Sequence, residues 1–212
     1  MGSSRKARLY GGMDAEERRA ERRLKLIDAA VEVYGEVGYR GATVKAICEA
    51  AELTERYFYE SFANSEALLI AAYSHVVGHL HEEMAAAAAS AGNDPEARLL
   101  AALTLYFTRL KQHPKPARVF LLEISGISPA VDAVKLDALC TFSNILVPPA
   151  SDPKRSDKAS ADALLSIGMV GAVISIALRW VSKAYPQPLE EVVATAGSFC
   201  RVALAEADRH RG

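Results

Sequence analysis

Hydrogen-bonding side chains recur in one short stretch of the chain. Residues 43–62 read TVKAICEAAELTERYFYESF, in which hydroxyl, guanidinium and ammonium groups alternate with apolar residues. Such groups can donate to phosphate oxygens and to the edges of nucleic-acid bases. The candidate donors in and beside the stretch are Arg40, Thr43, Lys45, Thr54, Arg56, Tyr57 and Tyr59. The stretch is a candidate nucleic-acid-binding surface.

Two short helices are predicted to carry these donors. Apolar residues within 44–51 recur at i, i+3, i+4 and i+7, which predicts a helix with one buried face, and Thr43 can cap it. A second helix is predicted after Thr54, with Phe58 and Phe62 on its buried face. Two helices joined by a tight break are typical of a helix-turn-helix unit.

A longer amphipathic helix is predicted to precede this pair. Its apolar residues, which recur at helical spacing over 18–37, are Leu24, Ile27, Ala30, Val31, Tyr34 and Val37. Arginines at its start, and others among residues 1–12, could bind phosphates. The alternative is a solvated, charged N-terminus.

The rest of the chain also reads as helical. Further helices are predicted at 65–91, 94–113, 117–124, 130–147, 164–178 and 189–207, with an exposed loop over 148–158. No strand pattern or repeat interrupts them. The predicted fold is all-α, with an N-terminal arm (1–13), a three-helix helix-turn-helix domain (14–64) and a larger helical domain (65–212) for ligand binding and dimerisation.

Apolar and aromatic residues from several of these helices could line a cavity. The candidates are Leu103, Tyr106, Phe107, Leu110, Phe120, Glu123, Ile124, Phe142, Met169 and Val173, with Glu123, Ser143 and Tyr106 as polar groups. The alternative for each is ordinary core packing, because such residues fill protein interiors first.

One predicted helix has a stripe of small residues. The stripe consists of Leu164, Gly168, Gly171, Ala172, Ser175 and Arg179, and with Phe199 it predicts a dimer interface. An opposite stripe, from Ile167 to Val181, would face the core. Packing within one chain is the alternative. The fifteen residues from Leu164 to Leu178 carry no charge, but a membrane-spanning helix needs about twenty, so a buried helix is expected.

Other function classes find little support. His75, His79 and Glu83 share a helix face, yet no cysteine lies near to complete a metal site, so a solvated face is the expected interpretation. No phosphate loop or nucleophile elbow indicates an enzyme, and no cofactor is expected. The net charge of −1 argues against a non-specific nucleic-acid coat. Three scattered cysteines and no secretory signal predict a cytoplasmic protein.

The run from Gly38 to Leu69 resembles the DNA-binding domain of the tetracycline-repressor (TetR) family of transcriptional regulators. The resemblance is carried by Gly38-Tyr39, Thr43-Val44 with Ile47, Ala50-Ala51, Thr54, Phe58-Tyr59 with Phe62, and Glu66 to Leu69. The chain departs from the family pattern at Glu52, where glycine is usual in the turn, and at Ser65, where lysine is common. Glu55 and Glu60 also add negative charge to the second helix of the pair.

The resemblance implies a homodimer that binds a near-palindromic double-stranded DNA operator. It further implies a repressor that a small molecule, bound in the C-terminal domain, releases from the operator. The last two long helices would form the dimer interface. The alternative is a helical small-molecule or metal-binding protein that binds no operator.

Overall fold

The computed structural model describes residues 15–146 and 156–211, and every regular element in those ranges is a helix. The predicted all-α fold is confirmed, with an N-terminal helix-turn-helix and a larger helical C-terminal part. The elements are α1 (Ala15–Val37), α2 (Val44–Ala50), α3 (Glu55–Ser61), α4 (Ser65–Ser90), α5 (Pro95–Gln112), α6 (Pro114–Arg118) with a π-helical continuation (Val119–Glu123), α7 (Pro129–Leu146), α8 (Ser156–Ser182) and α9 (Leu189–Arg211). The predicted arm over 1–13 and most of the predicted 148–158 loop lie outside the described residues.

The first three helices share one small core. Ile47 and Cys48 of α2 and Phe58 of α3 are buried against α1, as the apolar spacing predicts. The buried face of α1 was predicted wrongly at its edges, since Leu24 and Val37 are exposed and Leu26 is fully buried. Burying a leucine or phenylalanine side chain contributes roughly 1.5–3 kcal/mol, so these few residues account for much of the stability of the unit.

The turn between α2 and α3 contains a strained residue. Glu52 has φ of +55°, in the left-handed region that residues with a Cβ rarely occupy, at a cost of roughly 1 kcal/mol or more. The Leu53 N–H donates to the Cys48 carbonyl at 2.9 Å and fixes the chain reversal. Thr43 caps α2 by accepting from the Ala46 N–H at 3.1 Å, whereas Thr54 stands at the cap position of α3 without a side-chain cap bond. The Thr54 hydroxyl is therefore not used to cap the helix.

The larger part is built on the long helix α4. Asn64 caps α4 and Asp94 caps α5, each by accepting from the backbone N–H three residues on, and Pro95 occupies the first turn of α5. Aromatic side chains fill the space between α5, α7 and α8, among them Phe142 and Trp180. The Trp180 indole donates to the Gln187 carbonyl at 3.0 Å, which ties the α8–α9 turn to the core.

Helix α8 is longer than the sequence predicted. It begins at Ser156, so part of the polar 154–158 stretch is helical and not an exposed loop. The predicted core-facing stripe is also mixed, because Val170 is buried while Ile167 and Leu178 are exposed. The stretch Leu164–Ser182 is long and apolar enough to cross a membrane by length and composition alone, and only 28% of it is buried within the chain. The expected buried helix is thus buried on one face only.

Candidate nucleic-acid interface

The predicted donors lie on exposed parts of α2 and α3. Arg40, Thr43 and Lys45 lie just before and at the start of α2, and all three are exposed. On α3 the side chain of Tyr59 is 63% exposed, although its ring contacts the buried ring of Phe58 edge-on at 5.1 Å. Because the contact with Phe58 already restricts the Tyr59 ring, its hydroxyl can bind a partner at low entropic cost.

Two cations of this face are paired with neighbouring carboxylates. The Arg56 Nε lies 2.8 Å from Glu60 Oε1, and Lys45 Nζ lies 3.9 Å from Glu49 Oε1. Exposed ion pairs one helical turn apart contribute only about 0.3–0.5 kcal/mol. Both cations can therefore exchange a carboxylate for a phosphate at little cost in stability.

Arginines at the start of α1 hold the end of α3. The Arg19 guanidinium donates to the Glu60 carbonyl and that of Arg23 to the Ser61 carbonyl, each at 2.8 Å. These carbonyls belong to the last turn of α3, where cations are favourable because the backbone carbonyls there lack partners. These arginines were predicted to bind phosphates, but in the structure Arg19 and Arg23 join α3 to α1.

Ring contacts strengthen the same junction. The Arg22 guanidinium lies over the Tyr57 ring, 4.6 Å from its centre, and that of Arg23 lies 4.1 Å over the Phe62 ring. Tyr57 is consequently half-buried and faces α1, unlike the exposed Tyr59. No sequence signal pointed to these contacts.

Glu123 joins the helix-turn-helix to the rest of the protein. Its carboxylate accepts from the Tyr39 N–H at 2.8 Å and lies 3.1 Å from Arg118 Nε. Gly38 packs against the same carboxylate, so that an added Cβ would come within 2.9 Å of Oε2. The prediction of Glu123 as a polar group in a ligand cavity is wrong, because the carboxylate is engaged at the domain junction.

The other predicted cavity residues meet in the core of the larger domain. The ring of Tyr106 contacts those of Phe107, Phe142 and Phe120 at 5.0, 5.0 and 6.2 Å. Leu103, Leu110, Ile124, Met169 and Val173 are buried in the same core. The structure also contains a cleft of about 690 Å³ that lies against α1. Of the predicted cavity residues, only Leu110 and Phe120 border this cleft.

The hydroxyl of Tyr106 is the unusual feature of this core. It is fully buried, and within the described part of the chain it has no hydrogen-bond partner. An unpaired buried hydroxyl costs about 1–3 kcal/mol, and burial raises the pKa of Tyr106 well above its usual range. Burial likewise lowers the pKa of His81, whose ring lies 5.8 Å from that of Phe142, to about 4. His81 is therefore neutral at physiological pH.

His75 and His79 of α4 lie beside different carboxylates. His75 Nε2 lies 3.4 Å from Asp28 Oδ1, His79 Nδ1 lies 3.9 Å from Glu82 Oε2, and Glu83 holds Arg109 through both oxygens at 2.7 and 2.8 Å. Within residues 15–146 and 164–206, no three His, Cys, Asp or Glu side chains are grouped to hold an ion.

The match to a known family covers the helix-turn-helix. Residues 26–72 match the family described as bacterial regulatory proteins, tetR family. The chain therefore carries the helix-turn-helix of the tetR family. This match supports a DNA-binding transcriptional regulator, and regulators of this family bind operator DNA, typically as dimers. No curated protein sequence matches the chain.

Solved structures of tetR-like regulators share the fold over most of the chain. The fatty acid degradation regulator FadR from Bacillus halodurans is 23% identical, with a TM-score of 0.69, over 84% of this chain and 94% of that one. FadR from Bacillus subtilis, solved in complex with stearoyl-CoA, is 22% identical, with a TM-score of 0.67, over 85% and 96%. A tetR-family regulator from Streptomyces coelicolor is 17% identical, with a TM-score of 0.70, over 93% and 85%.

The tetR-like fold leaves one apolar face of α8 and α9 uncovered in the single chain. Gly168, Gly171, Ser175 and Arg179 are exposed beside Leu164, which is 69% exposed, and Ala172 is half-buried. Phe199 of α9 is 55% exposed. A Cβ added at either glycine would meet no atom within 4 Å. All seven residues predicted for the dimer interface thus lie at least partly open to solvent.

Proposed function

We propose that this regulator is a repressor, and that a small molecule bound in the larger domain releases it from its operator. One observation carries the proposal. The helix-turn-helix, which exposes the hydrogen-bond donors of α3, is joined to the larger domain through Glu123. A ligand that moves the π-helical segment around Glu123 would move α1 and, through the arginine contacts, α3. Such a ligand acts only through its different affinities for the two arrangements.

Residues 14–64 are proposed as the DNA-binding domain and residues 65–212 as the ligand-binding and dimerisation domain. In the DNA-binding domain, Arg40, Thr43, Lys45, Thr54 and Tyr59 would hold the phosphate backbone. Arg56 would leave Glu60 to reach a base edge, and Tyr57 would contribute through the part of its ring that Arg22 does not cover.

The exposed face of α8 and α9 is proposed as the dimer interface. Large apolar patches on a soluble chain mark surfaces that a partner covers, and small residues such as Gly168 and Gly171 let two helices approach closely. A two-fold dimer would place two α3 helices in successive major grooves, about 34–36 Å apart, on a near-palindromic operator. If a second subunit covers this face, the apolar surface of α8 is explained by a cytoplasmic dimer and needs no membrane-spanning helix.

The core around Tyr106 is proposed as the effector site. Its unpaired hydroxyl would donate to one polar atom of the ligand, while Phe120, Phe142 and Val173 surround an apolar body. An acyl thioester such as the stearoyl-CoA in the Bacillus subtilis FadR complex combines a long apolar chain with a carbonyl acceptor. A fatty acyl thioester is thus the first ligand to test.

The decisive experiment measures binding of the full-length protein to a fluorescent DNA fragment from its own upstream region. Tyr59→Phe should weaken binding to every sequence by a similar factor, about threefold to tenfold, because a hydroxyl–phosphate hydrogen bond is lost. Tyr106→Phe is the matched control, which should bind DNA normally and respond less to the effector. An effect of Tyr59→Phe confined to one base position would contradict the phosphate role.

A folded dimer that shifts no DNA at any salt concentration would favour the alternative, a helical ligand-binding protein without an operator. To test the sign of regulation, a reporter gene placed behind the same upstream region can be assayed with and without the protein. A repressor lowers expression, and addition of the effector restores it.

A further inference from the structure

A cleft of about 690 Å³ opens between the helix-turn-helix and the larger domain. One wall is formed by α1 and by the turn after α2, and the opposite wall by α4 and by the junction of α5 and α6. Ligand sites for small molecules have volumes of roughly 300–1,000 Å³ and often lie between domains. The cleft is therefore large enough for a drug-sized molecule. It adjoins the core around Tyr106 through Leu110 and Phe120, but Tyr106 itself does not line it.

The floor of the cleft is apolar. Ala29 and Val31 of α1, Leu80 of α4, Leu110 of α5 and Phe120 all line it, and all five are buried. Apolar surface at the bottom of an open cleft can contribute about 25 cal/mol per Å² when a ligand covers it. The floor accordingly favours a ligand with an apolar body.

The cations on the walls already have carboxylate partners. Arg109 is held by both oxygens of Glu83, and Lys25 lies 3.1 Å from Glu21. These are the two Lys or Arg side chains of the lining, and they stand against four carboxylates, those of Asp28, Glu32, Glu52 and Glu83.

The carboxylates on the walls are less well compensated. Asp28 has His75 as its ion-pair neighbour, at 3.4 Å, and that pair is charged on both sides only when the histidine is protonated. Glu52, at the mouth of the cleft, has no ion pair or hydrogen bond from its side chain among the described residues. Glu32 is matched by Lys115. The cleft is therefore negative in balance, with Asp28 and Glu52 available to a cation.

We propose that this cleft binds an organic cation, an amine or quaternary ammonium group carried on an apolar body. The apolar body lies on the floor, and the charge faces Asp28 and Glu52. Glu52 has a left-handed backbone that glycine would adopt without strain. A carboxylate needed for cation binding accounts for glutamate in place of glycine at this position. Salt weakens the interaction, because both carboxylates are exposed to solvent.

The test uses the full-length protein without DNA, so that its outcome is independent of the proposed repressor function. Tetramethylrhodamine ethyl ester, a fluorescent apolar cation, is titrated with protein and its anisotropy is followed. Fluorescein, an anion with a similar ring system, is the ligand control. Asp28→Asn and Glu52→Gln should each lower the affinity for the cation by about twofold to fivefold, the effect of one exposed charge pair.

Two further variants locate the site. Asp137→Asn removes an exposed carboxylate of α7, away from the cleft lining, and should leave the affinity unchanged. Tyr106→Phe should also leave it unchanged, because it removes only a hydroxyl that does not line the cleft and keeps the ring that contacts Phe120. The proposal is overturned if the cation shows no saturable binding, if fluorescein binds equally well, or if Tyr106→Phe weakens binding while the two cleft variants do not.

Discussion

Replacing Glu123 with alanine tests the junction between the two domains. The carboxylate is only 16% exposed and accepts a 2.8 Å bond from the Tyr39 N–H, and a hydrogen bond to a charged group contributes about 1.5–3 kcal/mol. The pair with Arg118 adds little, since that guanidinium is partly exposed. We expect Glu123→Ala to lower the free energy of unfolding by about 2 kcal/mol, which for a chain of this length corresponds to a fall in Tm of about 4–8 °C.

The assay is urea unfolding followed by circular dichroism at one fixed protein concentration, because dimer stability depends on concentration. Glu123→Gln should cost less than Glu123→Ala, since the amide oxygen can still accept from Tyr39. Glu82→Ala is the matched control on α4, where the carboxylate is 80% exposed, and it should change stability by less than about 0.5 kcal/mol. A Glu123→Ala protein as stable as the control would show that the carboxylate does not hold the junction.

Three further changes test other parts of the structure. Glu52→Gly should raise the free energy of unfolding by about 0.5–1 kcal/mol, because glycine relieves the left-handed strain, and unchanged urea midpoints would contradict that reading. Gly171→Leu should turn the dimer into a monomer in light scattering, whereas Gly78→Leu on α4, where an added Cβ also meets open space, should leave the dimer intact. A dimeric Gly171→Leu protein would exclude this face as the interface. Because burial lowers the pKa of His81 to about 4, the unfolded chain binds a proton at a pH where the folded chain does not. The free energy of unfolding should therefore fall by up to roughly 3 kcal/mol as the pH drops from about 6.5 to about 4. His81→Leu should flatten that part of the stability curve measured by urea unfolding, and an equally steep curve would assign the pH dependence to other groups.

Features encoded by neighbouring residues could be predicted from the sequence. The buried faces of α2 and α3 follow from the spacing of Ile47, Cys48 and Phe58, and the cap at Asp94 follows from one side chain and the N–H three residues on. The unusual backbone at Glu52 was indicated by the family resemblance, in which glycine is usual at that turn position. Each of these depends on atoms within one or two helical turns.

Features that join distant parts of the chain could not be predicted in this way. Glu123 and Tyr39 are 84 residues apart, and Arg19 and Glu60 are 41 apart, so no local spacing relates them. Glutamate in an apolar region suggested a ligand contact and arginine at a helix start suggested phosphate, because a sequence shows what a group can bind but not what it meets after folding. The exposure of Ile167 and Leu178 on α8 was missed for a related reason, since apolar residues look alike whether their own chain or a second copy covers them.

The hydrogen bonds from Arg19 and Arg23 to the end of α3 change how mutagenesis of this protein must be interpreted. Alanine at either position would reduce DNA binding even if neither guanidinium touches a phosphate, because α3 would lose one of the two hydrogen bonds that hold its last turn. The two causes differ in their response to salt, since loss of one phosphate contact flattens the dependence of log affinity on log salt by about 0.9, whereas a loosened helix leaves the slope nearly unchanged. An alanine scan at a single salt concentration would therefore count residues that only hold α3 in place as DNA contacts. It would overestimate the footprint of the protein on its operator.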